Sequence, residues 1–363
     1  MKFDLSRVMR EAMTLTRDQR LAEATQRIRD ALQAAGRPAR TAPGKQAGAS
    51  LGAVAKALRQ ARLGGTRRSG VRGIKPHGPV EVAEGARFIE GTFTADAGSR
   101  NYSLYLPAKH APRGLPLVVM LHGCTQDAAD FALGTGMNAL AEAIGFIVVY
   151  PEQPRTANPS SCWNWFEPRD QKRGVGEPSI IAGLTREIAT NYSLDSGRIF
   201  VAGISAGGAM AATLGATYPD VYAAIGVHSG LAHGAASDVV SAFAAMRGDA
   251  GIRHSRGAEA ERSTTLRTIV FHGAADHTVH PSNADAMVGG GAGEVARTES
   301  GVRGGRRYAR TIISTGNGKS IAERWLIDGA GHAWSGGNPA GSFSDPAGPD
   351  ASREMVRFFL EAN

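Results

Sequence analysis

The chain has 363 residues, 42% hydrophobic and 20% charged, enough to bury a large core and incompatible with a disordered or fibrous protein. Its formal net charge of +8 is uneven: residues 1–80 hold 17 Lys and Arg against 5 Asp and Glu, and the remainder 24 against 28. A basic arm therefore precedes a mildly acidic body, and nothing marks that body for nucleic-acid binding.

Residues 1–36 read as a helical hairpin. Leu5, Val8, Met9 and Met13, then Leu21, Ile28 and Leu32, recur at helical intervals, and Thr16 with Gln19 forms a capping box. Residues 37–80 turn to Gly, Ala, Arg, Lys and Pro and read as a basic linker, with a short helix at Ala53–Ala61. The arm begins without the uninterrupted apolar centre of a secretory signal, which favours a cytoplasmic location. Its charge admits two roles: a solvated linker with a docked hairpin, or attachment to a membrane surface, nucleic acid or another anionic surface.

Residues 81–363 alternate strand-length apolar runs with helical patterns, the mark of a mostly parallel sheet with helices on both faces. Strands are expected at Arg87–Thr94, Asn101–Leu106, Leu117–Leu121, Phe146–Tyr150, Ile199–Ala202, Ala223–Val227, Thr268–Phe271, Tyr308–Ser314 and Ala322–Leu326. Helices are expected at Phe131–Ile144, Pro178–Thr190, Ala206–Tyr218, Ser282–Val288 and Ser352–Glu361, and Thr315–Gly318 is a hairpin turn. The longest apolar runs fall far short of the roughly 20 residues that cross a bilayer.

Gly203-Ile204-Ser205-Ala206-Gly207 follows the apolar strand RIFVA and precedes an alanine-rich helix. The G-x-S-x-G pattern alone is weak, because this glycine content yields about 0.4 chance matches per chain. The strand–turn–helix frame makes it a nucleophile elbow, in which small neighbours let strand and helix approach. A serine hydroxyl needs a base, itself oriented by an acid. The α/β-hydrolase order of serine, acid and histidine is met by Asp276, the last residue of TIVFHGAAD, and His332, in the flexible loop Gly329–Gly331 onward. Asp285 falls in a helix, and Asp328 is too close in sequence to His332 to be its obvious partner.

An oxyanion needs two backbone donors. Ala206 supplies one, and the loop His122-Gly123-Cys124-Thr125 the other, through Cys124 or alternatively Thr125. Trp163, Trp165 and Phe166 cluster in a Pro- and Asn-rich loop, either closing over an apolar substrate or anchoring the crossing. Trp334, two residues past His332, reads as a pocket wall. His122, His228 and His272, at strand ends, read as hydrogen-bonded turn histidines, and His122 also stands among the substrate-binding candidates. Nothing requires a cofactor or metal: no phosphate loop, H-E-x-x-H pair or zinc cluster is present, and the Gly-rich stretches at 289–293 and 301–305 follow no recognised strand. Two cysteines leave open one disulfide or two thiols.

HGCTQ (122–126), CWNWF (162–166), AGISAGGAM (202–210), VHSG (227–230), HGAADHTV (272–279), GAGHAWSGG (329–337) and the tail GSFSDPAGPDASREMVRFF together resemble the esterase family of poly(3-hydroxybutyrate) depolymerases. The resemblance implies an α/β-hydrolase fold and a serine esterase with Ser205 as nucleophile, Asp276 as acid, His332 as base and Cys124 with Ala206 at the oxyanion hole. It also implies tryptophans beside the site and an ester substrate, a 3-hydroxybutyrate polymer or oligomer. Feruloyl and acetylxylan esterases are similar in fold and triad and give the alternative substrate class. Secreted members of the family make the extracellular space the alternative location. A disulfide between Cys124 and Cys162 is compatible with their positions beside the oxyanion and tryptophan loops.

Overall fold

A computed structural model describes residues 78–108, 113–249, 266–288, 294–316 and 318–361. The hairpin expected over 1–36 and the linker over 37–80, apart from 78–80, lie outside the described residues.

The first strands, β1 (Arg87–Ala95) and β2 (Gly98–Leu106), form an antiparallel hairpin. β3 (Leu117–Leu121) is followed by α1 (Ala128–Thr135), α2 (Met137–Ile144) and β4 (Ile147–Pro151). The single helix expected here is two, because Gly136 adopts φ 62°, closing α1 and redirecting the chain into α2. Next come α3 (Gly176–Asn191), β5 (Ile199–Ile204), α4 (Ala206–Thr217), β6 (Ala224–His228), α5 (Val239–Met246) and β7 (Arg267–Gly273). The one-turn α6 (Ser282–Asp285) is shorter than expected, and α5 has no counterpart in the sequence reading. The chain ends with β8 (Val295–Arg303), β9 (Arg306–Ser314), β10 (Ser320–Ile327), the two-residue bridge strands β11 (Trp334–Ser335) and β12 (Ser344–Asp345), and α7 (Ala351–Leu360).

Ten strands form one sheet in the order β1-β2-β4-β3-β5-β6-β7-β10-β9-β8. The six from β4 to β10 run parallel, and an antiparallel hairpin flanks each side. β3, β4, β5, β6 and β7 are buried along their whole length, as strands covered on both faces must be. Leu117, Val119 and Leu121 face a core shared with α3 and α4, while Val118 and Met120 face a second core with α1, α2 and α7. Helices thus cover both faces.

Sequence reading missed β8 because its residues are mostly exposed at the sheet edge and carry no alternating pattern. Correspondingly, the glycines of 301–305 do follow a strand: Gly304 and Gly305, at φ 52° and 77°, turn β8 into β9. The chain reverses its direction of travel across the sheet between β3 and β5, and such a switch opens a crevice at the carboxyl ends of those strands.

Candidate active site

Ser205 sits at the carboxyl end of β5 with φ 56° and ψ −121°, a conformation that residues with a Cβ rarely adopt. Backbone bonds hold it there: its amide donates to the His228 carbonyl at 2.9 Å, and its carbonyl accepts from the Ala209 amide at 2.9 Å. The glycines of the motif have a steric reason. A Cβ on Gly207 would lie 2.1 Å from the Leu121 carbonyl oxygen, and one on Gly203 would lie 2.5 Å from Gly207 backbone.

Asp276 and His332 come from two loops at the same edge of the sheet, after β7 and β10. His332 Nδ1 donates to Asp276 Oδ2 at 2.7 Å, and the other carboxylate oxygen accepts from the Thr278 and Val279 amides, both at 2.9 Å. Burial pushes the Asp276 carboxyl up, but the hydrogen bond and charge of His332 and the backbone donors outweigh it, so its pKa lies below the ordinary carboxylate value. His332 is mostly buried, with 12% of its side chain exposed. No hydrogen bond joins Ser205 Oγ to His332 among the described residues. The rival acids are placed elsewhere: Asp285 pairs with Arg324, and Asp328 is exposed.

Ala206 is the first residue of α4, where an amide has no intrahelical acceptor. Of the two candidates in the other turn, Thr125 has its amide engaged, donating to Ser160 O at 2.7 Å. Three bonds fix that turn. His122 Nδ1 donates to Gly123 O at 2.8 Å, Gln126 N donates to the same oxygen at 3.3 Å, and Gly123 N donates to Gln126 Oε1 at 2.9 Å. The Gly123 carbonyl belongs to the same peptide plane as the Cys124 amide, so gripping the one aims the other. Cys124 is also disulfide-bonded to Cys162, 38 residues on, with Cα atoms 4.2 Å apart.

The four expected substrate contacts are all buried. His122 is 1% exposed, and its Nε2 accepts from the Gln153 amide at 3.0 Å. Trp163 is 0% exposed, with Nε1 donating to His122 O at 3.1 Å. Trp334 is 1% exposed, stacks on His228 and donates to Ser352 Oγ at 3.0 Å. Trp165, 7% exposed, stands edge-on against Phe166. These rings brace the loops around the site through packing and hydrogen bonds.

Of the polar groups that tie these loops, the sequence reading singled out the histidines and passed over Glu177. Buried Glu177 accepts from the Gln153 and Asn164 side chains and from Arg100, pinning the tryptophan loop to the start of α3. His228 bridges two loops: its carbonyl holds the Ser205 amide, while its Nε2 accepts from Ser335 N at 3.0 Å, three residues after His332. Burial lowers the His228 pKa to about 3 and also lowers those of His122 and His272. All three rings are neutral acceptors or single donors at neutral pH. His228, Gln126 and Asn164 all lie in the quoted VHSG, HGCTQ and CWNWF strings, but their partners lie too far away in sequence to be paired by reading.

A parallel sheet with antiparallel flanks, a strained serine between strand and helix, and an acid and histidine on loops after later strands define the α/β-hydrolase fold. An acetyl xylan esterase from Aspergillus awamori shares it, with a TM-score of 0.57 and 22% identity over 75% of this chain and 100% of that one. Residues 100–293 match the family model described as esterase PHB depolymerase, and the chain belongs to that family. It is 34% identical over 240 residues to the poly(3-hydroxyalkanoate) depolymerase C of Paucimonas lemoignei, covering 62% of this chain and 57% of that protein. It is 30% identical over 190 residues to the feruloyl esterase B of Neurospora crassa, covering 49% of this chain and 64% of that protein. The chain spans roughly half to two thirds of the length of the curated relatives it matches.

Proposed function

We propose that the protein is a serine esterase that cleaves carboxylic esters through an acyl-enzyme, with 3-hydroxybutyrate polyester or oligomers as substrate. The observation that carries this reading is the Asp276–His332 hydrogen bond at the sheet edge where β5 presents Ser205. Ser205 is the nucleophile, and His332 takes its proton as Oγ adds to the ester carbonyl. Asp276, held ionised by its donors, keeps the proton on Nδ1 and stabilises the imidazolium. The amides of Cys124 and Ala206 receive the oxyanion. Collapse expels the alcohol with the proton from His332, and water then repeats the cycle on the acyl-enzyme. The Ser205–His332 hydrogen bond closes when substrate fills the crevice, as such bonds commonly tighten in the bound state.

Family membership and the likeness to a poly(3-hydroxyalkanoate) depolymerase support the polyester class. The feruloyl esterase likeness keeps cell-wall esters as the second reading. The Cys124–Cys162 disulfide favours an oxidising compartment over the cytoplasm. No helix among the described residues is long and apolar enough to cross a membrane.

The test is product release from amorphous poly(3-hydroxybutyrate), its soluble oligomers and methyl ferulate, side by side, by wild type and Ser205→Ala. Hydroxybutyrate release that vanishes in the variant is expected. Ferulate release alone moves the substrate to the cell-wall class, and an active Ser205→Ala overturns the mechanism.

A further inference from the structure

Phe343 is the only Phe, Tyr or Trp among the described residues that is classed as exposed, at 47%. It also holds φ 50°, in the left-handed region where a large side chain is disfavoured. Its ring stands edge to face against His332, with centroids 6.4 Å apart. The disfavoured backbone is a cost, and it sets an exposed apolar ring beside the histidine of the site.

The turn is nevertheless fixed from both sides. Phe343 O accepts from Trp334 N at 2.7 Å, which joins it to the His332 loop. On the other side, Ser342 N donates to Asp130 Oδ1 at 2.8 Å and the Ser342 hydroxyl bonds to Asp130 Oδ2. Gln126 Nε2 donates to Ser342 O at 3.1 Å and to Asp130 Oδ2 at 2.9 Å, while Gln126 Oε1 accepts from Gly123 N. One buried glutamine therefore couples the turn that bears Phe343 to the turn that bears the Cys124 amide.

We propose that Phe343 is a specificity-determining residue that packs against the leaving alcohol of the ester and favours bulky, apolar alcohol groups. The inference rests on the serine esterase reading above. With Nδ1 bonded to Asp276, the Nε2 of His332 is the nitrogen that returns the proton to the alcohol oxygen as the C–O bond breaks. The alcohol portion thus lies against the imidazole, and a fixed apolar ring beside that imidazole meets its carbon skeleton. The secondary, methyl-branched alcohol of a hydroxybutyrate chain has such a skeleton, and a methyl ester has almost none.

The experiment compares wild type with Phe343→Gly, a variant suited to φ 50°, and with Phe343→Leu, which keeps an apolar side chain. One series holds the acyl group constant as butanoate and varies the alcohol from methanol to 2-butanol to benzyl alcohol. A second holds methanol constant and varies the acyl group from acetate to hexanoate. Phe343→Gly is expected to lower kcat/KM about tenfold or more for the 2-butyl and benzyl esters, to leave the methyl ester within about twofold, and to preserve the order of the acyl series. Phe343→Leu is expected to fall between the two. An equal fall for all alcohols, or a reordered acyl series, overturns the proposal. Activity surviving in Ser205→Ala overturns the esterase reading itself, so the two failures are distinct.

Discussion

Two turns beside the site hold a residue with a full side chain at nearly the same left-handed angle, Ser205 at φ 56° and Phe343 at φ 50°, and they are enforced by different means. The serine turn is imposed by main chain: a strand entering, a helix leaving, the His228 carbonyl on its amide, and glycines that admit backbone at contact distance. The phenylalanine turn has one main-chain bond, from Trp334 N to Phe343 O, and is otherwise held by side chains from far along the chain, Asp130 and Gln126, acting on Ser342. Strain held by backbone geometry leaves a local spacing motif, and strain held by distant hydrogen bonds leaves none.

The sharpest way to separate the roles is to disable the histidine that the Phe343 ring faces. Asp276→Asn keeps the shape of the acid loop but removes the carboxylate that fixes the His332 tautomer, so a fall of about 10⁴ in kcat is expected, measured on a soluble ester with an unchanged melting curve. A stable variant with near wild-type turnover would remove Asp276 from the mechanism.

Opening the 38-residue loop of the disulfide tests the Cys124 turn. Cys162→Ser is expected to cost about 4 kcal/mol of stability on the chain-entropy account, measured by urea denaturation, and dithiothreitol is expected to reproduce it in wild type. Gly207→Ala attacks the serine turn directly. Its methyl would meet the Leu121 and His122 carbonyls, which belong to buried backbone that cannot swing aside, and a loss of about 3 kcal/mol is expected. Asp130→Ala attacks the Phe343 turn and strips acceptors from the Ser342 amide and Gln126, for an expected loss of about 2 kcal/mol. If the comparison is right, Asp130→Ala alters alcohol selectivity as Phe343→Gly does, while Gly207→Ala lowers activity on all esters alike.

The effect smallest per residue and per pH unit is a pH slope. His122, His228 and His272 are neutral because burial lowers their pKa values, to about 3 for His228. An unfolded histidine binds a proton below about pH 6.5, so stability is full above that value and falls as pH drops toward each folded value. Each ring is expected to contribute about 1.4 kcal/mol per pH unit in that window. Asp276 acts later, because its depressed pKa keeps its contribution intact down to the ordinary carboxylate range. Urea melts from pH 7 to 5 check the slope, and His228→Gln should reduce it by about one proton's worth; an unchanged slope would show that His228 is protonated when folded.

Length, apolar periodicity and the order of three motifs determined by themselves the parallel α/β sheet, the helices on both faces, and Ser205, Asp276 and His332 as the residues to examine. These features are local: a buried parallel strand is a continuous apolar run, and an elbow is glycines at fixed spacing around a serine. Tertiary structure alone decided that Trp163, Trp165, Trp334 and His122 are buried, because burial depends on what packs from elsewhere in the chain. It also tied the Thr125 amide to Ser160 O, a contact across 35 residues that no local pattern shows. Likewise it set Phe343 in the open over His332, since the residues that hold it there lie about 200 positions away and a hydrogen bond across that distance has no period to read.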